Sequence, residues 1–360
     1  MNSRKQLDIE LMRILAAFFV IFNHTGNNGY FLFSLYPMQS FPFWIYLFLS
    51  IFCTFSVPLF FMITGALMLN REPEPLKDLW EHRVLKMVRI LLFWSLLYYF
   101  ASVCRGTQKF SVKGFAAVFY DSSWNYSFWY LYAYIPLLIS LPLLQKFAKG
   151  LSNKDYIYMI ALFFTFSSLL PTMQYLLWQD QHNLNENFRL GWICTGTLFY
   201  PCLGYFLQHR AKDYWNKKRL AILWAVNIAA ILLACCMTYL KANATGVCDE
   251  VNSEAFHSTF VAVNCASIFV SCQYFVQHVK INERIQRMIL SVGGCSFGIY
   301  LLHVLFMEIP GIKKLLDVFR DQWNWNDMVS GLLYCACIFL MGYLTTLLLK
   351  RIPIMKKLIS

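Results

Sequence analysis

Charge is scarce in this chain. Asp, Glu, Lys and Arg together make up 14% of its 360 residues, against roughly 25% in ordinary soluble domains. A water-facing globular surface cannot be built from so little charge. Paired cysteines are missing as well: the twelve Cys are scattered, no CxxC occurs, and the CxC at Cys335 and Cys337 lies inside an apolar run. Neither a zinc or other metal site nor a disulfide framework is expected from that pattern. No small-residue cleavage site follows the first apolar run, which carries Asp8, Glu10 and Arg13, so a retained first span is expected rather than a signal peptide. No connection is long enough to hold a soluble domain, and a single membrane domain over 1–360 is expected. No internal repeat and no broken helix is evident by eye, which counts against a transporter.

What is abundant is apolar and aromatic: 58% of residues are hydrophobic and 18% aromatic, with 21 Tyr and 11 Trp suited to anchoring at membrane interfaces. Apolar stretches of about 20 residues predict an all-α polytopic membrane protein of ten spans. They lie near 7–26, 44–69, 84–104, 127–147, 155–175, 189–208, 219–240, 256–278, 289–310 and 328–350. Alternate connections differ sharply in charge. The N-terminal tail, 70–83, 146–154, 209–219, 279–288 and the C-terminal tail hold 20 Lys and Arg, whereas the opposite set holds seven, or eight with Arg189. The positive-inside rule then puts both termini in the cytoplasm. The net charge of +12 is thereby absorbed by topology. Lys217, Lys218 and Arg219 sit at a helix–loop junction, and no nucleic-acid partner is expected.

Arg13 and His24 share the first apolar run. Eleven helical steps turn about 1100°, within about 20° of three full turns, so both side chains leave one face roughly 16 Å apart. Ionisable residues in a spanning helix cost at least ~2.5 kcal/mol each, so two on one face mark a buried or watery site. His24 can exchange a proton near neutral pH, and Arg13 keeps its charge. The pair predicts a base and an anion clamp at two depths; the alternative is a polar pair that only fixes helix packing. Glu10, three residues before Arg13, can orient the guanidinium or neutralise it during insertion. Arg83, Lys86 and Arg89 form a slanting basic ridge at the start of the third span. Snorkelling toward headgroups is the alternative for Arg83 and Lys86; for Arg89, followed by Ile-Leu-Leu-Phe-Trp, a bound anion is expected. In the ninth span Ser296, Tyr300 and His303 follow at steps of four and three and share a face. His303 lies in the outer half, as His24 does, so the two imidazoles form an outward-facing reaction centre if their helices are neighbours. A structural hydrogen-bonding role for His303 is the alternative. Gly293, Gly294 and Gly298 loosen that helix or admit a ligand or backbone close to it.

Across nearly its whole length the chain resembles the acyltransferase 3 family of bacterial multi-pass membrane enzymes. The resemblance is carried by Arg13-x10-His24, Phe60-Phe-Met-Ile-Thr-Gly65, Arg83-Val-Leu-Lys86-Met-Val-Arg89, Phe93-Trp94-Ser95, Trp129-Tyr130-Leu131 and Ser296-Phe-Gly-Ile-Tyr300-Leu-Leu-His303. Leu91-Leu92 stands where many relatives carry a proline, which leaves a local kink in doubt. The resemblance implies an enzyme of the bacterial cytoplasmic membrane with no permanently bound cofactor. It implies transfer of an acyl group, expected to be acetyl, from acyl-CoA to a hydroxyl of a surface polysaccharide or its lipid-linked precursor. Arg13, Arg83, Lys86 and Arg89 would hold the donor phosphates. His24 would act as general base or as a covalent acyl carrier. Glu10, Trp129, Tyr130, Ser296, Tyr300 and His303 are the acceptor-site candidates. No appended hydrolase-like or racemase domain occurs within the 360 residues, so transfer unaided or with a separate partner is expected. A transporter or flippase of glycans or anionic solutes is the competing reading from the residues alone.

Overall fold

The computed structural model describes residues 3–179, 181–188, 190–246, 248 and 259–359, and among them there is helix and no strand. Twelve principal helices follow in order: α1 Ser3–Asn23, α2 Phe41–Met68, α3 Leu76–Cys104, α4 Tyr126–Ile139, α5 Leu141–Gly150, α6 Asn153–Trp178, α7 Gly196–His209, α8 Lys217–Thr245, α9 Phe260–His278, α10 Glu283–Gly293, α11 Ser296–Met307 and α12 Asp327–Leu349. Six of them (α2, α3, α6, α8, α9 and α12) are long and apolar enough to cross a bilayer. Two further spans arise if each bent pair is counted as one, α4 with α5 at 70° and α10 with α11 at 58°. The protein is therefore polytopic, with six to eight such spans among the described residues where ten were expected.

The other two expected spans are helices of a different kind. α7 has 14 residues, about 21 Å at 1.5 Å per residue and short of a hydrocarbon core of about 30 Å. α1 carries Asp8, Glu10 and Arg13 within its 21 residues. Both are enclosed by protein: Met12, Ala16 and Ile21 of α1 and Tyr200 and Cys202 of α7 are 0% exposed. α1 packs against α2, α9, α10, α11 and α12. The outer helices show the opposite pattern, with Ile222, Val226, Leu232 and Leu233 of α8 exposed, as an acyl-chain solvent requires. The bent spans also correct the expectation of unbroken helices.

The tightest packing in the bundle lies between α7 and the second half of α2. A Cβ added at Gly65 would sit 1.8 Å from the Pro201 carbonyl oxygen, and one added at Gly204 would sit 2.0 Å from that of Met62. Two backbones meet here with no room for a methyl group, the small-residue mode of helix association in membranes. Polar pairs sort the loops into two groups. Lys149 pairs with Glu72 at 2.7 Å, and Arg210 donates to the Lys149 carbonyl. Arg105 pairs with Glu308 at 2.6 Å, and Arg320 pairs with Asp327 and donates to Asn28. Each contact stays within one of the two sets separated by charge in the sequence. These pairs are partly exposed and worth at most about 1 kcal/mol each, so they report proximity more than they create it. Arg189 and most of 241–255 lie outside the described residues.

Gly65→Ala should lower stability by about 2 kcal/mol or more, because the new methyl meets backbone that cannot retreat. Gly150→Ala, with nothing within 4 Å of its added Cβ, should change it by less than about 0.5 kcal/mol. Thermal unfolding of the purified full chain in detergent compares the two. Equal melting temperatures would remove the α2–α7 contact as a fold determinant.

Candidate active site

α1 ends at Asn23 because the chain turns there and is tied down by side chains. Asn23 Nδ2 donates to Ser56 Oγ at 2.9 Å, which fixes the end of α1 to α2. Thr25 Oγ1 donates to the Phe22 carbonyl at 2.6 Å and accepts from the Tyr30 amide at 3.0 Å. His24 is held between these anchors. Its Nδ1 lies 2.8 Å from Nε2 of His303, with the two ring planes within 12°. His303 is 0% exposed, and its Nδ1 lies 2.5 Å from the Tyr300 carbonyl oxygen. Tyr126, 53% exposed, meets the His24 ring edge-on at 4.9 Å between centroids. The two imidazoles expected at matched depth are thus in direct contact.

The break between α10 and α11 makes that contact possible. Gly293 lies against α1 so closely that an added Cβ would come within 2.5 Å of Glu10 Oε2. Lys350 Nζ donates to the Gly294 carbonyl at 2.6 Å, filling an acceptor that the end of α10 leaves open. α11 then starts afresh at Ser296 and carries Tyr300 and His303 along α1 toward His24. Gly293 therefore serves a helix–helix approach, and Gly293 and Gly294 both line a cavity.

That cavity has a volume of about 400 Å³, and its lining includes Arg13, Arg83, Lys86, Tyr130, Ser296 and Tyr300. Sequence reasoning singled out all six. Arg13 is held by Glu10, Nη1 to Oε1 at 2.7 Å, and Arg83 pairs with Glu74. The remaining walls are mostly aromatic and apolar, among them Phe60, Tyr134 and Phe297. Tyr300 joins the two features: it lines the cavity, its carbonyl accepts from His303, and its hydroxyl donates to the Ser127 carbonyl at 2.5 Å.

Two expected residues stand elsewhere. Arg89 is exposed and does not line the cavity; its Nε donates to the Leu85 carbonyl at 3.0 Å and its Nη2 to that of Glu81 at 3.3 Å. It folds back along its own helix toward the basic end, the snorkelling posture expected instead for its neighbours. Trp129 is 39% exposed and also outside the lining, whereas Tyr130 beside it points in. Several residues were missed. His82, Thr64 and Tyr134 line the cavity, and Asn23 and Tyr126 flank His24. A signal existed for Tyr126 and Tyr134, which lie four residues either side of Tyr130 on one helical face. None existed for Lys350: the glycines mark a loosened helix but not which side chain caps the break.

The acyltransferase domain of the acyltransferase 3 family matches residues 6–346. The chain is also 24% identical over 375 aligned residues to an amino-acid racemase of Enterococcus faecalis, an alignment covering 97% of this chain and 47% of that protein. It therefore spans about half the length of this curated relative. No solved structure matches.

Arg13→Ala should strand Glu10, whose side chain is 6% exposed, as a buried carboxylate without its cation. A loss of about 2–3 kcal/mol is expected. The double variant Glu10→Ala/Arg13→Ala should recover part of it, since the two contributions are coupled. Additive losses in thermal unfolding would mean that the pair does not act as a unit.

Proposed function

The chain belongs to the acyltransferase 3 family, and from that premise we propose that it is a membrane acyltransferase that moves an acetyl group from acetyl-CoA to a sugar hydroxyl of a surface polysaccharide or its lipid-linked precursor. The observation that carries this reading is the junction at Tyr300, which lines a cationic cavity with one part and binds the histidine pair with another. The cavity suits the pantetheine arm, whose amides and thioester are flanked by Tyr130, Tyr134 and Ser296. Arg83, Lys86 and His82 would take the phosphates, and Arg13, oriented by Glu10, would sit deeper on the same path. Arg89 is left out of the donor site because its guanidinium is turned to its own helix carbonyls. Both termini and the basic loops would be cytoplasmic, so that the donor enters from inside the cell and the acceptor approaches His24 past Tyr126 from the other face.

In this scheme His24 takes the proton of the acceptor hydroxyl while its oxygen bonds the thioester carbonyl carbon. The carbon–sulfur bond breaks, and the departing thiolate recovers the proton from His24. Atoms balance as ester plus free CoA thiol. The competing transporter reading gains one observation, the two bent spans, and differs in outcome: it requires solute movement without thiol release.

With acetyl-CoA as probe, His24→Ala should cut thiol release by about 10² to 10⁴ while leaving donor affinity nearly unchanged. Arg83→Ala and Lys86→Ala should each weaken acetyl-CoA binding by about tenfold, and Arg89→Ala should leave it alone. Titration calorimetry and thiol assay on the reconstituted full chain check both. Wild-type rates from a folded His24→Ala protein would end the catalytic assignment.

A further inference from the structure

We propose that His303 is a positioning residue: it fixes the tautomer of His24 so that Nε2, and not Nδ1, is the nitrogen that exchanges the proton. The reaction this serves rests on the acyltransferase reading above; the tautomer itself does not.

The assignment follows from one atom that has no choice. A backbone carbonyl only accepts, so the 2.5 Å contact between the Tyr300 carbonyl and His303 Nδ1 requires the hydrogen to be on that nitrogen. His303 is 0% exposed, and among the described residues neither imidazole has a carboxylate partner. A second proton on His303 would leave a buried, unpaired cation, which is strongly disfavoured. Its Nε2 therefore carries a lone pair. Nδ1 of His24, 2.8 Å away, must donate to it. A neutral imidazole has one N–H, so Nε2 of His24 is left with its lone pair available. The spacing Tyr300-x-x-His303 is what permits this, because a histidine ring on a helix can reach back to the carbonyl three residues earlier. Tyr300 is held in turn by Ser127, and the same turn of α11 is pinned by Tyr98, whose hydroxyl donates to the Leu301 carbonyl and accepts from the Leu305 amide.

When Nε2 of His24 accepts the hydroxyl proton, the resulting imidazolium keeps its Nδ1–H directed at Nε2 of His303, and the charge is shared along the chain to the Tyr300 carbonyl. Transfer of the proton from Nε2 to the thiolate returns both rings to their starting state. If an acyl-histidine forms instead, the new nitrogen–carbon bond forms at the same Nε2 with departure of the thiolate. His303 acts through His24 and touches neither substrate.

The test uses the full chain in nanodiscs with acetyl-CoA as the probe. His303→Ala should lower kcat by about 100-fold with KM for acetyl-CoA within about twofold. His303→Gln, whose terminal oxygen falls near the position of Nε2, should restore the rate to within about tenfold, and the shorter His303→Asn should not. His24→Ala/His303→Ala should be no slower than His24→Ala alone, because the second residue has nothing left to orient. A loss confined to KM, or two losses that multiply, would overturn the proposal. Nitrogen-15 spectra of histidine-labelled protein provide a readout that does not depend on turnover. They should show His24 and His303 both as Nδ1–H tautomers, assigned by the signals lost in each variant, and His24 should revert to Nε2–H in His303→Ala. Protonation of His24 at Nε2 in the wild-type resting protein would sink the inference. If the wild-type protein releases no thiol from acetyl-CoA while the spectra show the expected tautomers, the acetyl-CoA reading falls and the positioning role stands.

Discussion

A helix that carries Asp8, Glu10 and Arg13 and leads directly into His24 cannot face acyl chains. Each such charge costs at least ~2.5 kcal/mol at membrane depth unless it is paired or watered, and α1 holds three within two turns. The remedy is enclosure. Five helices surround α1, Glu10 holds Arg13 at 2.7 Å, and Arg13 lines the cavity. The lipid-facing work passes to α8, α6 and α12, whose apolar windows are less than a third buried. A short, buried α7 locked onto α2 through Gly65 and Gly204 fills the space on the far side of the core.

The same enclosure explains the break in the ninth expected span. A straight helix over 283–307 would carry α10 along the direction of α11, whereas the bend at Gly293–Cys295 turns α10 by 58° from it. The bend exposes terminal carbonyls that need partners; Lys350 supplies one. It also lets α1 and α11 run close enough for His24 and His303 to share a hydrogen. Fold constraint and chemistry thus meet at one loop. Gly293, which closes the packing against α1, also lines the cavity, as does Gly294.

Much of this is legible in the sequence, and the limits are physical. The phase of Arg13 and His24 depends only on helical periodicity, and each of the ten expected segments contains a helix. Periodicity also groups Ser296, Tyr300 and His303 correctly. It cannot tell a lipid-facing helix from one wrapped by neighbours, which is why α1 and α7 were counted as ordinary spans. Nor can it say which way a flexible cation turns. Arg83 and Lys86 point into the cavity and Arg89 away from it, the reverse of what the following apolar residues imply, because Arg83 finds Glu74 and Arg89 finds its own carbonyls. His303 was placed with the acceptor side because sequence gives its depth and face but not its partner. The 2.8 Å contact to His24 makes it a neighbour of the base instead.

The central claim is that the cationic cavity and the histidine pair are two ends of one path across the membrane. Proteoliposomes of uniform, mapped orientation test it most directly, with acetyl-CoA added to one face at a time. The account predicts free thiol only when acetyl-CoA meets the face bearing 70–83 and 209–219, and almost none with His24→Ala. Equal thiol release from either face, or release that ignores His24, would contradict it.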